Sequence, residues 1–178
     1  MTLRRYSLFV PAFAFAVLLA GCAFHLRQEA QLPPGMQRVH IDIADTSSPL
    51  ARDLGKALAR SGAQIVDHVE SGAALMKITA NTLSSDVLSV GGTARANEYA
   101  LRYHVEFEVQ DAAGTAIAPK QTIELSREFT FDATQALGVN AETDLLFKEL
   151  ERDMVQAILR RLQALGKTAG NGTENQPN

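Results

Sequence analysis

The chain has 178 residues, 17 of them basic and 20 acidic, with 46% hydrophobic residues and one cysteine. That length accommodates one domain with one sizeable core rather than two ordinary domains. A net charge of −3 excludes a nucleic-acid binder that works by bulk charge, and a lone cysteine excludes an intramolecular disulfide.

Met1–Arg5 is a short positive segment carrying Arg4 and Arg5. Tyr6–Ala20 follows without a charged residue and includes Pro11. At about 15 residues it is short for a spanning helix, which needs roughly 20, and it reads as the apolar region of a secretory signal. Leu19-Ala20-Gly21-Cys22 resembles the bacterial lipobox, Leu-(Ala/Ser)-(Gly/Ala)-Cys, at all four positions. The expectation is that residues 1–21 are removed and that Cys22 becomes a lipid-modified N-terminus. One acyl chain binds a membrane marginally; two or more anchor stably, at about 0.8 kcal/mol per buried CH₂. Ala23 follows the cysteine. In enterobacterial lipoproteins, which this segment resembles, Asp at that place retains the protein in the inner membrane, so Ala23 implies the outer membrane. The mature chain would keep 157 residues, 15 basic against 20 acidic, for a net charge of −5.

Residues 22–35 read as a lipidated tether ending in Pro33-Pro34-Gly35, an extended and then turning run. From Met36 the sequence alternates, with Val39, Ile41 and Ile43 on one face, as in a half-buried strand. Ser48-Pro49 opens a helix with a capping hydroxyl and a proline suited to its first turn. Leu50, Leu54 and Leu58 form its apolar stripe, and Gly62 closes it. Ala63–Val66 is a short extended run; a strand–helix–strand order there would make the flanking strands parallel. Ala74–Leu88 reads as a longer strand and Ser89–Thr93 as its turn. Glu98–Val109 alternates at six consecutive places, from Tyr99 to Val109, with Arg102, His104, Glu106 and Glu108 on the opposite face. Asp111–Gly114 is a hairpin connection, and Thr122–Asp132 the next strand. Arg127 falls in phase with Ile123, Leu125 and Phe129, so it belongs at a sheet edge or beside a carboxylate. Ala141–Leu165 is the longest helical pattern, with Leu150, Met154, Ile158 and Leu162 at three–four spacing. Residues 166–178 carry few apolar side chains and read as a disordered C-terminal tail.

These elements predict an α+β domain over residues 36–165. It is a two-layer sandwich, with two helices packed on one face of a mixed, mostly antiparallel four-stranded sheet. The other sheet face is left to water or a partner. No phosphate loop, zinc-protease helix or nucleophile elbow occurs, and His25, His40, His68 and His104 lack metal-ligand spacing. No cofactor, metal or catalytic residue is expected. Glu106 and Glu108 could form a carboxylate pair, as in a periplasmic hydrolase, but two glutamates on one strand face are ordinarily a solvated surface.

Taken in order, several motifs resemble the LPS-assembly lipoprotein LptE family. They are the lipobox followed by Phe24-His25-Leu26-Arg27, then Leu32-Pro33, Asn97-Glu98-Tyr99 and Ser126-Arg127-Glu128-Phe129 with Phe131-Asp132. They close with Ala136-Leu137, Glu142, Lys148-Glu149-Leu150 and Ile158-Leu159-Arg160-Arg161-Leu162. The resemblance spans about residues 19–165. It implies a lipid-anchored outer-membrane protein that plugs the LptD β-barrel, supports barrel assembly and assists lipopolysaccharide transfer to the outer leaflet. Its implied partners are LptD, lipopolysaccharide and the membrane, with no nucleic acid. A lipopolysaccharide binder needs cations for phosphates and apolar surface for acyl chains. The family resemblance directs attention to basic residues at the loop end of the sheet. Arg95, in the turn after the second long strand, and Lys120, in the loop before the last strand, are the candidates here. The alternative is an interaction module of another envelope assembly machine.

Overall fold

The computed structural model describes residues 32–90, 96–130 and 136–173. The leader, Cys22, Arg95 and residues 174–178 lie outside them.

Strand β1, Arg38–Asp42, buries Val39 completely and turns Ile41 toward the first helix, whose Gly55 admits that side chain. Helix α1, Pro49–Arg60, starts where expected. The Ser48 hydroxyl accepts from the Ala51 amide at 3.3 Å and donates to the Asp45 carbonyl at 2.7 Å. Leu50, Leu54 and Leu58 are fully buried along its inner stripe. Gly62, at φ +93°, takes the left-handed turn that ends the helix at no steric cost.

The chain then adds a strand that the expected count of four omits. β2, Gln64–Val66, pairs in parallel with β1, and the His40 ring Nδ1 lies 3.0 Å from the Val66 carbonyl. Three residues with only Val66 buried give no alternation to detect. β3, Ala74–Val90, pairs in parallel with the other side of β1. β4, Ala96–Gln110, and β5, Ala116–Thr130, continue antiparallel. The sheet is therefore mixed and five-stranded, in the order β2-β1-β3-β4-β5. Two of its four pairings are parallel, which corrects the mostly antiparallel expectation.

The β4–β5 hairpin is tied by the Asp111 carboxylate, which accepts from the Ala113 and Thr115 amides at 2.8 Å each. β5 begins six residues before the expected Thr122 and contains Pro119, which an edge strand tolerates because no neighbour needs its missing N–H.

Helix α2, Ala136–Thr173, is longer at both ends than the predicted 141–165 span and enters the segment expected as a tail. Leu150, Met154, Ile158 and Leu162 are fully buried. They share one core with the α1 leucines and with Leu101, Val105, Phe107 and Val109 of β4. At Gly166 the helix passes so close to the N-terminal segment that a Cβ there would lie 3.2 Å from the Pro33 backbone. Both helices thus cover one sheet face. Burial of successive β4 residues alternates strictly from Leu101 to Gln110, so the other face is open.

Candidate functional site

The pleat of β4 sends Arg102, His104, Glu106 and Glu108 to the uncovered face, where β3 and β5 add their own polar side chains. Arg102 lies between two carboxylates, 2.9 Å from Asp86 of β3 and 3.5 Å from Glu124 of β5. His104 stands between Glu106 and Glu124 at 3.7 and 3.9 Å. Lys120 Nζ reaches Glu106 at 2.7 Å. Cations and carboxylates are thus interleaved across three strands. The pattern fixes the side chains of a solvated face and leaves them available to a polar partner.

The Lys120 ammonium, through its hydrogen bond, holds the Glu106 carboxyl below the ordinary glutamate range; its charge and that of His104 add to the effect. A general acid needs the opposite shift. Glu106 is therefore poorly matched to a general-acid role. Among the described residues no group of His, Cys, Asp and Glu is arranged to hold a metal ion.

Lys120 lies within β5, not in a loop before it. Pro119 and the preceding hairpin make the segment look like a loop, but the edge position lets the strand run through them. Arg95 falls outside the described residues. Its chain neighbour Ala96 opens β4, whereas the partner of Lys120 is Glu106, ten residues further along that strand. At about 3.3 Å per residue, roughly 33 Å of strand separate the two places. Lys120 already carries a carboxylate partner.

The sheet's far end has a different character. On its helix-side face the rings of Tyr99 and Phe129 stack across strands, with centroids 5.3 Å apart at an interplanar angle of 15°. On the same face Val87, opposite Tyr99, is 56% exposed and Leu83, opposite Tyr103, is 37% exposed; Leu145 of α2 is 54% exposed. A plain period of two from Met76 and Ile78 would send Leu83 and Val87 to the opposite face; the register shift between Ile78 and Ala80 brings them opposite Tyr103 and Tyr99 instead. Tyr103, deeper in the same face, is buried and donates its hydroxyl to Asn81 Oδ1 at 2.9 Å. Burial, with a contribution from the Glu151 charge, raises its phenol well above the usual value. Among the described residues no helix is long and apolar enough to cross a membrane.

The family described as LptE, lipopolysaccharide-assembly, matches residues 36–162. The LPS-assembly lipoprotein LptE of Pectobacterium atrosepticum is 27% identical over 176 residues, covering 98% of this chain and 92% of the relative. That of Yersinia enterocolitica is 29% identical over 160 residues, covering 89% and 76%. Among solved structures, lipoprotein B from Nitrosomonas europaea superposes with a TM-score of 0.68 at 29% identity, covering 88% of this chain and 99% of the other. The rare lipoprotein B from Shewanella oneidensis gives 0.61 at 28% identity, covering 75% and 97%. The names of the matched relatives are those of assembly lipoproteins.

Proposed function

Because this chain belongs to the LptE lipopolysaccharide-assembly family, we propose that it is a lipid-anchored outer-membrane protein that plugs and helps assemble the LptD β-barrel and assists lipopolysaccharide transfer to the outer leaflet. The observation that carries this reading is the family match over residues 36–162, which takes in both helices' buried stripes and all five strands. In this proposal residues 1–21 are removed and the Cys22 thiol and amine carry the acyl chains. The tether of residues 22–35 then leads to the folded domain. The protein acts by occupying a partner and holds no catalytic residue.

Physical features of the domain support the plug role. A barrel lumen is lined by polar side chains, since lipid-facing and lumen-facing residues alternate along each strand. The uncovered sheet face, with Arg102, His104, Glu106, Lys120 and Glu124 interleaved, suits such a wall. Arg95 and Lys120 remain the proposed cations for lipopolysaccharide phosphates. Of the two, Lys120 would have to exchange the Glu106 carboxylate for a phosphate oxygen.

Depletion of the protein tests the function directly. Loss of lipopolysaccharide from the cell surface is the expected result. Unchanged lipopolysaccharide transport, with a defect in some other envelope process, would instead favour an interaction module of a different assembly machine.

A further inference from the structure

The second half of α2 differs in charge from the rest of this acidic chain. From Met154 to Thr173 it carries Arg160, Arg161 and Lys167 and no carboxylate, whereas the preceding stretch from Glu142 to Asp153 carries five. Arg38, Arg102 and Arg127 each stand against a carboxylate. Arg160 and Arg161 have no ion-pair partner among the described residues, and both are exposed.

They line a cleft of about 310 Å³ between α2 and the edge strand β5, together with Ile123, Ala157 and Ala164. Ala157 and Ala164 are seven residues apart, two turns along one helix face, and their small side chains leave room beside Ile123. No strand lies beyond β5, so the cleft stays open at its side. We propose that this cleft binds the phosphate group of an amphiphile. Arg160 and Arg161 hold the anion, and Ile123, Ala157 and Ala164 take the adjoining apolar part. Planar guanidinium groups suit phosphate because two parallel N–H donors meet two oxygens. The volume is at the lower end for small-molecule sites, about 300–1,000 Å³, which fits a head group and the first methylenes rather than a whole multi-chain lipid.

Chain geometry points to the membrane as the source. Pro33 packs against Gly166, two residues beyond Ala164, so the N-terminal segment reaches the domain at the cleft's end of α2. Cys22 is eleven residues upstream of Pro33, a reach of at most about 40 Å. An anchor at Cys22 therefore keeps the cleft within reach of phospholipid head groups. This last step rests on the proposed anchor; the charge and shape of the cleft do not.

The test uses the processed full chain in dodecyl maltoside, titrated with dihexanoyl phosphatidic acid, dihexanoyl phosphatidylcholine and inorganic phosphate. Amide resonances of Ile123, Ala157 and Ala164 and the Arg160 and Arg161 Nε resonances are followed. Phosphatidic acid should give saturable shifts confined to these groups, with the other two ligands binding on the order of tenfold more weakly. A double Arg160→Gln/Arg161→Gln variant should lose at least about tenfold in affinity, while the double Lys variant keeps part of it. Equal affinity for inorganic phosphate would overturn the amphiphile assignment. Shifts elsewhere in the wild-type chain, or no saturation, would overturn the site, whatever the variants' stability. None of these outcomes depends on whether a barrel partner is found.

Discussion

Arg127 Nη2 of the edge strand β5 lies 2.6 Å from Asp153 Oδ2 of α2, so the one cation on an apolar register is tied to the helix above it. Both side chains are nearly half exposed, at 46% and 49%. A pair this wet is worth little, because water screens the attraction and two long side chains lose freedom. A double-mutant cycle with Arg127→Ala and Asp153→Ala, measured by urea unfolding, should give a coupling of about 0.2–1 kcal/mol. A coupling above about 2 kcal/mol would mean that the pair is far drier than the structure has it.

Gly166 makes a different kind of contact. Its hydrogen faces the Pro33 backbone, and Pro33 is itself held by the bond from the Met36 amide to its carbonyl. A side chain at 166 must push α2 away from a backbone that has little room to yield. Gly166→Val should therefore lower the thermal midpoint, although Val is a better helix former than Gly by a few tenths of a kcal/mol. A raised midpoint would show that the N-terminal segment yields freely.

The Glu106–Lys120 contact gives a pH signature. The Glu106 carboxyl is held below its ordinary value of 4.5 by the Lys120 hydrogen bond first of all. A depressed folded-state value means that the stabilisation is present above 4.5 and is lost as pH falls through the lower folded value. Wild type should thus be more stable than Glu106→Gln near neutrality, with the difference closing in acid. Urea unfolding of both chains between pH 7 and pH 2 checks this, and a gap that widens in acid would contradict it.

The anchor proposal has its own readout. Cys22→Ser removes the nucleophile that would accept the diacylglyceryl group. It should leave an unprocessed or soluble chain on fractionation. Normal outer-membrane fractionation of the variant would contradict lipidation at Cys22.

Much of this fold is legible in the sequence, where local chemistry and burial agree. The β4 alternation, the Ser48-Pro49 helix start and the Gly62 stop all depend on neighbours a few residues away, and the structure has each of them. What escapes the sequence depends on distant partners. β2 reads as a short extended run, parallel to the first strand if it pairs, but its exposed Ile65 gives no alternation, and only its place beside β1 adds it to the sheet as a fifth strand. Lys120 sits in a strand because β5 is at the edge and tolerates Pro119. The stretch from Gly166 has few apolar side chains and so reads as a tail, whereas the helix runs on to Thr173 with Gly166 against Pro33. The site follows the same division. The charged face of β4 is visible as alternation, but Arg102 meeting Asp86 and Glu124 requires the register of three strands. The Arg160–Arg161 cleft requires the packing of α2 on β5, which no local pattern specifies.

The plug proposal is tested most directly by purifying the native protein from membranes in a gentle detergent and determining what accompanies it. A one-to-one complex with the large outer-membrane barrel LptD is the predicted result. Recovery of the domain as a monomer alone, from membranes in which that barrel is present and intact, would contradict it.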